Sequence, residues 1–328
     1  MEAKLFIDNG KTRYFPSVLD GVTWTTERRG SPGVLKFSVY SDDSLNFEEG
    51  NSVGFIYDEV NIFYGFIFTK KRSKNCIIEV TAYDQLRYLK NKDTYAYVNK
   101  KASEVIKMIS ADFNLNTGDI EDTGYVIPSR VEDNQTLFDV INNALDLTLR
   151  QKGLLYTFFD DYGKITLKNI KNMAINLLIC EESGEDYDYT SSIDTNTYNK
   201  IKLTYDNKSS GNREVFIAHD VNNIKKWGTL QYSESINSDS NKNVDEIRAL
   251  GKEKKEALLK LFNQKTRALS FKNLFGDTRA RAGVRIWVNI NLGDIYLNNY
   301  MLINKATHSF RGIHKMDLEL IGGGIYSG

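Results

Sequence analysis

A three-strand β pattern recurs near the two ends of the chain, and few folds accommodate such a duplication. Ser52–Val80 and Val284–Leu320 each carry an apolar-rich strand, a polar turn and a second strand, Phe63–Thr69 in the first copy and Tyr300–Lys305 in the second. A charged turn and a final alternating strand follow, Ile77–Thr81 and Lys315–Leu320. Identity between the copies is low, so the repeat is one of pattern. A chain that duplicates one β module presents two equivalent surfaces. Ring assemblies use that geometry more often than enzymes do.

At 328 residues the chain exceeds one typical core, and two to four domains are expected. Its 19 Tyr and 17 Phe favour strands. Lys+Arg and Asp+Glu balance at 43 each. The global basic excess of a dedicated nucleic-acid binder is therefore missing, and sequence-specific nucleic-acid binding is not expected. Cys76 and Cys180 read as two buried, reduced thiols. The N-terminal stretch has no apolar signal-peptide core, and no run reaches the roughly 18 apolar residues of a membrane span. The expected product is soluble and cytoplasmic, without membrane insertion.

Read in order, residues 1–97 form a small β domain that opens with a hairpin at Asn9-Gly10. Alternation at Val22, Trp24 and Thr26 and along Val34–Tyr40 adds strands, and Tyr83–Leu89 suits one helical turn. The period then changes to 3.6. Ser103–Asn114 reads as a helix with Ser103 as N-cap, and Asn134–Lys152 as a second helix ended by Gly153. A hairpin joins Leu154–Phe159 to Lys164–Leu167. This α+β middle region, 98–189, ends in the acidic stretch Glu181–Asp188, read as a linker or exposed loop. Residues 190–328 return to β, with a polar loop at Asn237–Asn243 and a long Lys/Glu-faced helix over 243–263. Gly251 weakens that helix by about 1 kcal/mol relative to Ala.

The patterns that carry chemistry are mostly missing. His219, His308 and His314 match none of the usual zinc spacings. His308 and His314 flank the turn at Arg311-Gly312, where they can face each other, and read as two polar hairpin residues. The acidic pairs Asp42/Asp43, Glu48/Glu49, Asp160/Asp161 and Glu181/Glu182 read as solvated turn residues, because adjacent carboxylates point apart. Glu181–Asp188 lacks the rhythm of an EF-hand loop, and neither a nucleophile elbow nor a phosphate-binding loop occurs. Gly322-Gly323-Gly324 reads as a flexible tail. Lys70-Lys71-Arg72 is a basic cluster, and Lys252–Lys255 alternates with Glu as a solvated stripe. The segment Arg279–Val284 reads as a surface loop, or as a contact to an acidic neighbour. No catalytic, cofactor-binding or metal-ligating residue is assigned, and no cofactor is expected.

The order of the pieces resembles one family. The middle helix-hairpin TLFDVINNALDLTLRQKGLLYTFFDDYGKITLKN carries the likeness. So does the C-terminal run, with Gly293-Asp294, Tyr300–Ile303, His308 and Met316–Leu320 in sequence. It resembles the baseplate hub proteins of contractile phage tails and phage-tail-like particles, the XkdQ/YqbQ-type prophage proteins of the late control protein D group. The resemblance implies a mainly β fold with α+β insertions: two tail-tube-like β barrels connected by a helix-containing middle region. It implies a first barrel at 1–97, a middle region at 98–189 and a second barrel at 190–328. It also implies a structural, non-enzymatic hub, a homotrimeric ring adapting a sixfold tail tube to a threefold central spike. Its partners would be the tail tube protein, the spike protein, a LysM-type tail protein and baseplate wedge proteins. The product would assemble in the bacterial cytoplasm and end in a phage tail or tail-like bacteriocin released by lysis.

Mechanism would then lie in interfaces. Trp24, Tyr64, Trp227, Arg279, Arg281 and Trp287 are the first residues to examine, since aromatic and Arg side chains concentrate in interface cores. Two other readings remain open at this level: a cell-surface carbohydrate-binding module with exposed aromatic platforms, and a cell-wall hydrolase component with converging carboxylates or a Cys–His pair.

Overall fold

The Asn9-Gly10 turn opens the first β module. Gly10 takes a left-handed φ of 82° and the Asn9 side chain accepts from the Lys11 and Thr12 amides, which folds β1 (Ala3–Asp8) back onto β2 (Arg13–Tyr14). Five strands follow: β3 (Val18–Glu27), β4 (Val34–Tyr40), β5 (Ser52–Tyr57), β6 (Val60–Arg72) and β7 (Ile77–Tyr83). The computed structural model describes residues 2–41, 44–73, 75–207, 210–236, 244–293, 295–323 and 326. The pair Asp42/Asp43, the loop Asn237–Asn243, Asp294 and Gly324 lie outside the described residues. These strands run in the order β3-β4-β7-β6-β5-β1-β2, all antiparallel, and their alternating inward residues (Trp24, Leu35, Phe37, Phe55, Ile67, Val80) make one apolar core.

The middle unit is α+β. Its elements are β8 (Lys92–Lys101), α1 (Ala102–Asp112), β9 (Thr117–Ile120), β10 (Val126–Thr136), α2 (Leu137–Lys152), β11 (Tyr156–Asp160) and β12 (Ile165–Asn169). Val105, Ile106 and Ile109 of α1 and Val140, Ile141 and Ala144 of α2 are buried at helical spacing in a common core with Ile165 and Leu167. Two boundaries differ from the sequence reading. Asn134–Thr136 extends β10 because Thr136 still pairs with Lys92, and Thr136 then caps α2 by accepting from the Asp139 amide at 3.1 Å. Ser103 lies inside α1. The chain enters that helix at Lys101, whose amide donates to the Glu104 carboxylate at 2.7 Å, so the cap is made backwards from within the first turn.

The acidic stretch then departs further from expectation. After β13 (Ala174–Ile179) it contributes a single turn at Glu181–Ser183 and a strand, β14 (Asp186–Ser192). Acidic residues are poor strand formers, and it is the ladder to a neighbouring strand, not propensity, that holds this one extended. A separate small unit follows: β15 (Lys200–Asn207), β16 (Asn212–His219), α3 (Val221–Trp227), β17 (Gln231–Ser235) and α4 (Val244–Phe262). Ile247 and Leu258 of α4 pack on Ile201, Leu203 and Tyr205 of the sheet. Lys254, read as part of a solvated stripe, is buried and ion-paired with Glu234 at 3.0 Å.

The second module closes the chain with β18 (Thr266–Phe275), β19 (Arg285–Asn291), β20 (Tyr296–Arg311) and β21 (Ile313–Gly322). Its order is β14-β18-β21-β20-β19-β13. Laid on β3-β4-β7-β6-β5-β1, the two orders coincide strand for strand. The agreement reaches single hydrogen bonds. Ile67↔Ala82 is followed by Thr69↔Thr81 across a bulge in the first module, and Ile303↔Leu320 by Lys305↔Glu319 across a bulge in the second. Gly50 N donates to Ile67 O and Ile67 N to Asn51 O, while Gly283 N donates to Ile303 O and Ile303 N to Val284 O, all at 2.8–2.9 Å. The molecule is mainly β, two barrel-like modules joined by a helix-containing middle. One difference stands out: β1 is antiparallel to β5, whereas β13 is parallel to β19.

Candidate functional site

The two modules are fused where β20 outruns its expected length. Its first half pairs with β19, and its second half crosses to β3: Lys305↔Glu27, Ala306↔Thr26, Thr307↔Thr25, His308↔Trp24, Ser309↔Thr23 and Phe310↔Val22. The hydrogen-bonded path therefore runs unbroken from one module into the other. The alternation along Tyr300–Lys305 ends at a bulge, which disguises the continuation as a turn.

His308 sits at this seam, fully buried, with His314 beside it. The sequence reading placed both in a polar hairpin, and burial overturns it. The proton positions follow from the partners. His308 Nε2 lies 2.7 Å from the Ala280 carbonyl and must donate to it, so a neutral His308 has only its Nδ1 lone pair to offer, and His314 Nε2–H donates there at 2.9 Å. The rings of Trp24 and His308 lie 5.0 Å apart, tilted by 31°, and His314 stacks on Phe310 at 4.2 Å. Burial pushes the His308 pKa down to about 4 and lowers His314 as well. Among the described residues no group of three or more His, Cys, Asp or Glu could hold a metal.

Arg281 ties the seam to the middle unit. The side chain is half-buried and its guanidinium Nε fully so, against the surface-loop reading, because Arg279–Val284 tucks under β3: Ala282 N donates to Thr26 Oγ1 at 3.0 Å. Its guanidinium lies 4.1 Å from the Phe159 ring centroid, 5.9 Å from that of Trp24, and donates to Asp160 O at 2.9 Å. Asp160 is also buried, not a solvated turn residue. With Asp84 it forms an acidic pair facing the Arg281 charge. Burial, reinforced by the Asp160 charge, holds the Asp84 carboxyl well above the carboxylate range, and burial raises Asp160 while lowering Arg281. Asp84 accepts from Gly33 N and Leu86 N and Asp160 Oδ1 from Gly163 N, while Asp160 Oδ2 is buried with no hydrogen-bond partner among the described residues. The cluster is a joint between three packing units.

The remaining interface candidates do not converge. Tyr64 packs on Tyr162 of the middle unit, and Trp227 ends α3. Arg279 is exposed and paired with Asp277 at 2.6 Å. Trp287, 36% exposed, donates to Asn298 and meets Tyr300 edge-on. Cys76 is exposed at the β6–β7 turn and Cys180 half-buried, so neither is the buried thiol expected. Asp84 went unnoticed in the sequence because nothing local distinguishes an N-capping Asp from a buried charge partner. Among the described residues two strand edges are open: beyond Ile67, β6 pairs only with β7, and β14 pairs only with β18.

The YQBQ-like family matches residues 22–321. This chain belongs to that family. Two relatives from Bacillus subtilis (strain 168) span nearly the whole length: YqbQ is 28% identical over 95% of this chain and 94% of its own, and the phage-like element PBSX protein XkdQ is 26% identical over 94% of each. Among solved structures, the tail protein from Neisseria meningitidis MC58 has a TM-score of 0.67 at 11% identity, covering 99% of this chain and 98% of the other. A 43 kDa tail protein of prophage MuSo2 from Shewanella oneidensis gives 0.63, over 97% and 98%. The fold is thus shared end to end with those structures. No helix among the described residues is long and apolar enough to cross a membrane.

Proposed function

We propose that this member of the YQBQ-like family is the structural hub of a tail baseplate in a contractile injection system. In this reading three chains close a ring. Two modules per chain then give six similar positions, which match a sixfold tail tube on one face, while the other face keeps threefold symmetry for a central spike. The observation that carries the reading is the internal duplication, faithful down to the bulge after Ile67 and Ile303. The relatives' names, a phage-like element protein and tail proteins, point the same way. The use of both oxygens of the buried Asp84 as backbone acceptors fits a non-enzymatic role.

The chain divides by its cores into a first module, a middle unit, a second module that begins with β13, and the β15–α4 unit inserted into it. Its partners in this role are the tube protein, the spike protein, a LysM-type protein and wedge proteins. Its final place is a phage tail or tail-like particle after assembly in the cytoplasm. Light scattering of the purified chain mixed with tube and spike proteins tests the proposal. A trimer is expected, and persistence of monomer under all mixtures refutes it.

A further inference from the structure

The duplication makes the internal seam a template. β20 and β3 pair within one chain; their counterparts by strand order and register are β6 and β14, and both of these end at open edges. We propose that the far half of β6 in one chain pairs antiparallel with β14 of the next copy, repeating the β20–β3 seam between chains. The register follows from the two ladders. Thr69, Lys71 and Arg72 face Thr81, Glu79 and Ile78 as Lys305, Thr307 and His308 face Glu319, Asp317 and Met316. Likewise Tyr189 and Thr190 face Leu269 and Ala268 as Trp24 and Thr25 face Leu35 and Val34. Transferring the seam pairs therefore sets Thr69 opposite Ser192, Lys71 opposite Thr190, Arg72 opposite Tyr189 and Ser73 opposite Asp188.

Three observations support this occupant over another protein. The edges have opposite charge: Lys70-Lys71-Arg72 against Asp186-Tyr187-Asp188, with Lys71, which pairs with Glu79 at 3.0 Å in the single chain, diagonal to Asp188 on one face, and Lys70 held by Phe47 O. The facing residues are exposed in the single chain, Lys71, Arg72, Asp188 and Thr190 among them, whereas Trp24, Ala306 and His308 at the seam are buried. Tyr189 Oη is buried without a hydrogen-bond partner among the described residues, and Arg72 would arrive beside it with donors. The contact is heterologous, so it propagates head to tail. Closure after three chains rests on the hub reading; the pairing itself does not.

The test uses full-length chain with Cys76→Ser and Cys180→Ser. Adding Lys71→Cys and Thr190→Cys places two thiols directly opposite, within the Cα separation a disulfide spans. Mild oxidation is expected to link chains to one another and to stop at a closed trimer on a non-reducing gel. Arg72→Cys with Thr190→Cys points the thiols to opposite faces and is expected not to link. Separately, Lys71→Glu is expected to weaken self-association about tenfold or more, and Asp188→Lys in the same chain to restore it. A trimer that forms without the 71–190 link, or that links equally at the shifted pair, overturns the register and leaves the hub reading standing. A chain that stays monomeric with tube and spike proteins present overturns both. Links that run on past three chains uphold the pairing and sink the closed ring.

Discussion

The first and second modules share one hydrogen-bond scaffold and differ in what covers it. At the equivalent hairpins, Arg72 and Cys76 occupy the positions of His308 and His314. The histidines are buried because β3 and the Arg279–Val284 segment lie over them; Arg72 and Cys76 are exposed, with no strand of the described residues paired outside Arg72. The residue types follow the cover. Under a permanent intrachain lid the site accepts neutral imidazoles with every proton placed, and at the uncovered edge it keeps a guanidinium that water can solvate. A second difference lies in the links. β3 reaches β4 through residues 28–33, whereas β14 reaches β18 through the whole β15–α4 unit. Duplicated ladders tolerate such an insertion because a surface connection contributes little to the core it leaves.

The strongest way to break the comparison is to cut the equivalent aromatic on each side. Trp24→Ala is expected to destabilise the isolated chain by about 3–5 kcal/mol, since the indole is buried at the seam. Tyr189→Ala, at the uncovered edge, is expected to cost about 1–2 kcal/mol while abolishing assembly. Denaturant unfolding of both variants, followed by light scattering, checks the contrast. Equal losses of stability would mean that the two edges are not related as covered and uncovered.

The histidine seam sharpens the comparison through pH. His308 titrates near 4 folded against about 6.5 unfolded, so the unfolded chain binds the extra proton in between. Its contribution is intact above pH 6.5 and is lost as pH falls through that window, reaching about 3 kcal/mol near pH 4. Asp84 and Asp160 act oppositely. Their raised pKa values make the folded state bind more protons, so stability gains as pH falls through their folded values toward 3.8. The difference between the wild-type and His308→Gln stability profiles isolates the histidine, and a flat difference from pH 7 to 4.5 would refute the assignment.

The smallest effect probes the insertion, which the first module lacks. A Cβ at Gly251 would meet the Phe216 ring at 2.8 Å. Gly251→Ala is therefore expected to lower stability by about 1 kcal/mol, reversing the gain that helix propensity alone would give. Thermal unfolding reads the sign directly.

Much of this was legible in the residues. Alternation located β3 through β7 and β19 through β21, and apolar stripes located α1, α2 and α4, because those patterns record which face is buried within one element. The repeat was legible for the same reason. β14 was not, since its strand state comes from pairing with β18 rather than from its acidic residues. The burial of Asp160, Lys254 and the Arg281 guanidinium Nε was equally hidden, for charged side chains look the same in sequence whether solvated or paired.

Sequence alone determined the two β modules, the helices between them and the family resemblance, all of them consequences of local period and turn chemistry. Tertiary structure alone decided that β20 crosses from one module to the other, that two histidines are hydrogen-bonded to each other at the seam, and that β6 and β14 are left open among the described residues. Each of those depends on which edge meets which across more than a hundred residues, and backbone hydrogen bonds carry no residue code by which the chain could announce the choice in advance.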